Sequence, residues 1–143
     1  MFLGKYEHTI DDKGRVTLPA KFRPGLEGGV VTTLGLDGCL LMFPRAEWDK
    51  LASRIEALPT MNPDVRNFGR LMFANADDSK PDRQGRVLIP AHLRAYAKLE
   101  NEVVITGWSS RFELWNPARW QEVQTKALDR IGHIAEYVSG LGI

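Results

Sequence analysis

Apolar and polar side chains alternate along residues 5–10, KYEHTI, with the period of two that a half-buried strand shows. Residues 11–14, DDKG, read as a tight turn: glycine tolerates positive φ, and Asp accepts from its own backbone two residues on. The strand pattern resumes at 16–18. Pro19 then suits the first turn of a short helix over 20–23, and strands follow at 30–34 and 40–43. The period changes after Pro44. Trp48, Leu51, Ile55 and Leu58 share one face of a helix over 46–58. Asn62-Pro63 caps a second helix through about residue 73, with Val65, Phe68 and Met72 on its apolar side. The order then starts again: 76–80 leads in, 87–89 is strand, 91–98 a short helix, and 103–106 with 112–115 two more strands. Asn116-Pro117 caps a matching helix that turns Trp120, Val123, Ala127 and Ile131 inward. Gly132, Gly140 and Gly142 predict an end that is frayed or held by a partner.

The recurrence is in the letters as well as the pattern. Residues 11–23 read DDKGRVTLPAKFR and residues 82–94 read DRQGRVLIPAHLR, identical at seven of thirteen positions without a gap. Gly35, Ala46 and Trp48 are answered downstream by Gly107, Ala118 and Trp120. The chain is therefore two copies of one supersecondary unit. A unit of ~60 residues buries only about 60% of its unfolded surface, so the copies are expected to share one core. The fold class expected is β-rich α+β, with the phrase displayed twice about a pseudo-twofold axis.

Composition adds little, but charge placement adds more. The net charge is only +1, yet residues 1–23 carry +2 and 79–98 carry +4, while 24–78 carry −3 and 99–143 carry −2. Positive charge gathers on the two phrases, as an electrostatic footprint for a polyanion would. No apolar run reaches the ~18–20 residues of a membrane span, and the first fifteen residues lack a signal-peptide stretch. With the lone Cys39, this predicts a cytoplasmic protein with no membrane partner.

Enzyme chemistry finds no footing. His8, His92, His133 and Cys39 share no ligand spacing, so no metal and no cofactor is expected. Cys39 sits in LDGCLLMF, where a thiol packs as a small hydrophobe. No nucleophile elbow or phosphate loop occurs, and Asp12 of the Asp11-Asp12 pair is Arg83 in the second copy. The phrase itself carries the signal. Asp11 and Arg15 lie four apart across a glycine turn, as do Asp82 and Arg86, so the carboxylate can hold the guanidinium in place. Lys13, Arg83 and Gln84 extend from the same turns. A turn-mounted set of cations and amides suits a DNA groove, where Arg reads guanine and Gln reads adenine. The DNA-binding candidates are Asp11, Lys13, Arg15, Asp82, Arg83, Gln84 and Arg86, with Lys5, Lys21 and Arg94 as weaker phosphate contacts.

The phrase resembles the DNA-binding turn of the AbrB-like swapped-hairpin barrels of bacterial transition-state regulators and antitoxins. Two copies in one chain, together with MFLGKYEHTIDDKGRVTLPAKFR, ADDSKPDRQGRVLIPAHLRAYAKL and ELWNPARW, resemble the MraZ family from Met1 to about Trp120. The resemblance implies two swapped-hairpin barrel halves paired as an intrachain pseudo-dimer with flanking helices. It implies a transcriptional regulator, cytoplasmic and nucleoid-associated, that represses its own division and cell-wall operon. It implies binding to short direct repeats in double-stranded DNA by a ring-like homo-oligomer. Asp11/Arg15 and Asp82/Arg86 fall on the family's Asp-x-x-x-Arg motifs. The units expected are DNA-binding repeats at 5–47 and 76–119, connecting helices at 48–75 and a C-terminal helical segment at 120–143. The alternative is an antitoxin-like module that also binds a protein. An antitoxin would carry a disordered tail after one barrel half, where this chain has a second half.

Overall fold

The computed structural model describes every residue from Met1 to Ile143. The first copy forms β1 (Lys5–Thr9), β2 (Arg15–Thr17), a 3-10 helix (Ala20–Leu26), β3 (Val30–Leu34), β4 (Leu40–Pro44) and α1 (Arg45–Glu56). After the connecting α2 (Pro63–Ala74), the second copy forms β5 (Asp77–Ser79), β6 (Arg86–Leu88), α3 (Ala91–Ala97), β7 (Glu102–Trp108) and β8 (Arg111–Trp115). Helices α4 (Pro117–Asp129) and α5 (Ile131–Ser139) complete it.

The copies do not fold side by side; they exchange strands. One sheet runs β1-β7-β8-β4-β3-β5, and a two-stranded ribbon joins β2 to β6. The leading strand of each copy thus pairs with a strand of the other, Tyr6 opposite Ile105 and Asp78 opposite Val31. At the centre β4 meets β8, Leu41 opposite Glu113. This is an α+β chain built as a swapped-hairpin pseudo-dimer. Strands of three residues are too short to hold alone, and the exchange gives β2, β5 and β6 partners they could not find at home.

The shared core explains the repeated apolar letters. Val16, Leu18 and Phe22 from one phrase, and Val87, Ile89 and Leu93 from the other, are all within 1% of full burial in one cluster. Each contributes about 1.5–3 kcal/mol relative to exposure. Phe2 and Phe112 stack on Phe22 with ring centroids 5.0–5.1 Å apart, tying the N-terminus to β8. The flanking helices cover the sheet by matching aromatics. Trp48 of α1 meets Phe43 at 5.8 Å, and Trp120 of α4 meets Trp115 at 5.6 Å.

Both Asn-Pro helix starts are as expected: Asn62 Oδ1 accepts from Asp64 N, and Asn116 Oδ1 from Ala118 N and Arg119 N. Four expectations need correction. Residues 20–23 belong to a 3-10 helix that runs to Leu26, with Pro24 inside it and no donor to close an α turn there. Leu58 lies past the end of α1 and is exposed. Of the α4 stripe, Trp120 and Val123 pack on the sheet, whereas Ala127 and Ile131 are exposed. A 13-residue helix is about 20 Å long, and only its first half, through Val123, lies over the sheet face at Val104 and Trp115. The chain then breaks at Arg130 and the last segment forms α5, so of the two ends expected, frayed or held by a partner, the frayed one is overturned. No helix is long and apolar enough to cross a membrane.

Candidate nucleic-acid interface

The two Asp-x-x-Gly-Arg turns are built alike, bond for bond. In the first, Asp11 N donates to Arg15 O at 3.0 Å and Gly14 N to Asp11 O at 3.0 Å; in the second, Asp82 N to Arg86 O and Gly85 N to Asp82 O are both 2.9 Å. Gly14 and Gly85 sit at φ 83° and 75°, the left-handed region the turn requires. Asp11 Oδ1 accepts from Lys13 N at 3.0 Å and Arg15 N at 2.8 Å, and its Oδ2 from Arg15 Nε at 2.7 Å. Asp82 accepts from Gln84 N and Arg86 N at 2.9 Å and from Arg86 Nε at 2.8 Å. Hydrogen bonds from the Arg backbone N–H, then from its side chain, hold both carboxyls below the usual carboxylate range. Both bridges engage Nε alone. The guanidinium is thus aimed by its inner nitrogen, while its outer Nη pair remains available to a ligand.

The ribbon places these turns relative to each other. Arg15 pairs with Leu88, Val16 with Val87, and Thr17 with Arg86. Val16 and Val87 point into the core. By alternation, Arg15, Thr17, Arg86 and Leu88 therefore share the outer face. Arg15 and Arg86 are diagonal neighbours, about 7–8 Å apart at the backbone. The strands are antiparallel, so the turns stand at opposite ends of a three-residue ribbon, about 10 Å long. That is close to the ~12 Å width of a DNA major groove. Leu18 N donates to Gly85 O and Ile89 N to Gly14 O, both at 2.9 Å, so each turn is pinned by backbone of the other copy.

Lys13, Arg83 and Gln84 are exposed at the turn tips beside this face. Lys21 is exposed on the 3-10 helix. Lys5 starts β1, six residues before Asp11, about 20 Å away along an extended strand, and stands outside the cluster. Arg94 has an internal partner: its Nε donates to Ile89 O at 2.9 Å. Sequence reasoning passed over Thr17 and Leu88, although alternation from Arg15 and Arg86 would have found both. It also passed over Arg23, which donates from Nε and Nη2 to Leu18 O at 3.2 and 3.1 Å. Across the two phrases seven cationic side chains face three carboxylates.

Comparison with known proteins agrees with this geometry. The family profile described as "MraZ protein, putative antitoxin-like" matches twice, over residues 1–71 and 72–136. The chain is 50% identical to the transcriptional regulator MraZ of Herpetosiphon aurantiacus over 143 residues, all of both chains. It is 51% identical to that of Roseiflexus castenholzii over 123 residues, 86% of each chain. It is 45% identical to that of Heliobacterium modesticaldum over 136 residues, 95% of each. Two tandem matches over a strand-swapped pair of halves, with full-length relatives at half identity, show that the chain belongs to the MraZ family.

Proposed function

We propose that this chain is a sequence-specific, DNA-binding transcriptional regulator that acts by occupying its operator and catalyses no reaction. The observation that carries the reading is the pair of matched Asp-Arg turns at the two ends of one ribbon, with both guanidiniums outward. Arg15 and Arg86 touch bases or phosphates; Asp11 and Asp82 aim them; Lys13, Arg83 and Gln84 add contacts, with Lys21 and Lys5 at the margin. Residues 5–47 and 76–119 are the two DNA-binding halves, joined by 48–75 and followed by 120–143. The names of the full-length relatives, transcriptional regulators, support the same reading.

The finer reading is repression of the chain's own division and cell-wall operon through short direct repeats upstream, in the cytoplasm and on the nucleoid. Two turns cover little DNA, so several chains act together in a ring. A head-to-tail interface that closes into a ring presents the same face at each step, as direct repeats require. Ile131, Ile134 and Tyr137 of α5 are exposed by 62%, 43% and 70%, apolar surface that a neighbouring copy would bury. Footprinting of the DNA preceding its own gene tests the proposal. The expected result is one protected window per repeat, spaced by about 10 bp or a multiple. Protection that follows no sequence, or none at all, overturns it.

A further inference from the structure

Arg23 and Arg94 occupy the same place in the two phrases, and each reaches the other copy's turn. Glycine at 14 and 85 provides the positive φ, but it also provides room. A Cβ on Gly85 would come within 2.8 Å of three Arg23 side-chain atoms, and one on Gly14 would lie 2.8 Å from Arg94 Nε and Cζ. Each guanidinium therefore lies directly against the glycine Cα of the opposite turn. Its other attachment is to its own half, Arg23 to Leu18 O and Arg94 to Ile89 O. The same Leu18 gives its N–H to Gly85 O, and the same Ile89 gives its N–H to Gly14 O. Each clasp is a closed triangle: turn glycine, core residue, arginine, glycine. Leu18 and Ile89 are fully buried, so the core fixes the triangle's anchor.

We propose that Arg23 and Arg94 are positioning residues for DNA recognition, each setting the turn of the opposite half: Arg23 serves Arg86, and Arg94 serves Arg15. The inference rests on the reading of Arg15 and Arg86 as DNA contacts. Chemistry separates this role from a direct phosphate contact. A phosphate accepts any cation, whereas the clasp needs a flat guanidinium that can lie on a glycine while donating to a carbonyl. Lysine keeps the charge and a donor but has no flat face, so it cannot lie on the glycine and reach the carbonyl at once. The clasp is also specific in direction, because it crosses from one copy to the other.

The test uses the full chain and a duplex carrying the DNA that precedes its own gene. Arg23→Gln and Arg23→Lys are each expected to weaken binding about tenfold, the loss of one well-placed arginine contact. In the Arg23→Gln background, Arg86→Ala should cost less than about threefold more, while Arg15→Ala keeps its full effect, since only residues in one network couple. A second readout needs no DNA. Peptide-level amide exchange should quicken over residues 82–88 in both Arg23 variants and stay unchanged over 11–17; Arg94→Lys should reverse the pattern. Full recovery of binding in Arg23→Lys, coupling to Arg15 rather than Arg86, or unaltered exchange at the opposite turn overturns the proposal. If Arg23→Gln does not fold, Arg23→Lys carries both readouts. If Arg15→Ala and Arg86→Ala leave DNA binding intact, the interface reading falls, and the exchange pattern still decides the clasp.

Discussion

Removing the two outward guanidiniums separates binding from folding, because the turns do not depend on them. In Arg15→Ala, Asp11 Oδ1 keeps its bonds from Lys13 N and Arg15 N, both of them backbone donors. What is lost is one ion pair between partly exposed side chains, which solvent and salt screen, so the fold should melt close to its wild-type temperature. The DNA side loses more. A well-placed arginine contact is worth about 1–3 kcal/mol, so each substitution should weaken binding roughly 5- to 150-fold. Arg15 and Arg86 sit about 7–8 Å apart across the ribbon, at the margin where effects become additive, so the double variant should lose close to the product. An assembly touching several repeats multiplies the loss again. Fluorescence anisotropy at fixed salt gives the binding change, a thermal melt the folding change, and light scattering the assembly. A double variant with wild-type affinity, normal melting and normal size refutes the interface. A melt lowered by tens of degrees refutes the claim that these side chains are spare to the fold.

Other outcomes follow from the same structure. Lys13, Arg15, Arg83 and Arg86 are the candidate cations at the turns, so log affinity should fall against log salt by about 0.9 per phosphate met, up to about 3–4 per chain; a flat profile removes the electrostatic footprint. Asp11 and Asp82 are depressed in the fold, so the unfolded chain takes up their protons first. Their contribution is complete above about pH 4 and is lost as pH falls through the lower folded values. Denaturation titrations of Asp11→Asn/Asp82→Asn should show a shallower acid decline, and an unchanged slope contradicts the assignment. Burial, and then the Glu113 carboxylate, push the Cys39 thiol up to about 12. Iodoacetamide at pH 8 should therefore label it only after unfolding, and native labelling at the rate of a free thiol would contradict its burial. The chain should scatter light as a particle several times ~16 kDa, and Ile131→Glu/Ile134→Glu should reduce that size if α5 lies at the interface; a monomeric wild type refutes assembly.

Local chemistry was legible in the sequence, and long-range pairing was not. Asp11 and Gly14 specify their turn through bonds within four residues, and Asn62 and Asn116 cap their helices through bonds within three. Such bonds leave a mark in the residue types themselves. The exchange of β1 onto β7 and β5 onto β3 joins residues up to about a hundred positions apart, and alternation looks the same whichever partner a strand finds. The sequence suggested only that the copies share a core; the swap reached the reading through family resemblance. The C-terminal glycines misled for a different reason. Gly132 sits in the first turn of α5 and Gly140 just after it, where a helix tolerates them, so counting glycines said less than their position did. The crossing arginines were hidden because Arg23 and Arg94 each close their own copy's phrase, and nothing in the letters says that they reach across. Only the fold shows that each faces the other copy's glycine.

Fusing two halves into one chain has a consequence for the kind of site it suits. A dimer of identical halves presents two identical turns and is bound to a palindrome, because symmetry forces both ends of the ribbon to read alike. Here the turns share their frame but not their tips. One carries Asp12 and Lys13, the other Arg83 and Gln84. Asp and Gly recur in both frames because the backbone bonds and positive φ of the turn require them, and Arg recurs as the side chain that the Asp carboxylate aims. The tip residues donate only backbone bonds to that frame, so their side chains are free to differ. On the proposed interface, one end of the ribbon offers an acid and a lysine and the other an arginine and an amide, so the chain has a direction on DNA. Exchanging the tips, with Asp12→Arg and Lys13→Gln beside Arg83→Asp and Gln84→Lys, leaves every frame bond and the net charge intact. It should reverse the preferred orientation of a single repeat, measured by placing a cleavage reagent on one half and mapping cuts on each strand. Cuts that stay on the same side after the exchange would show that orientation is set elsewhere than at the tips.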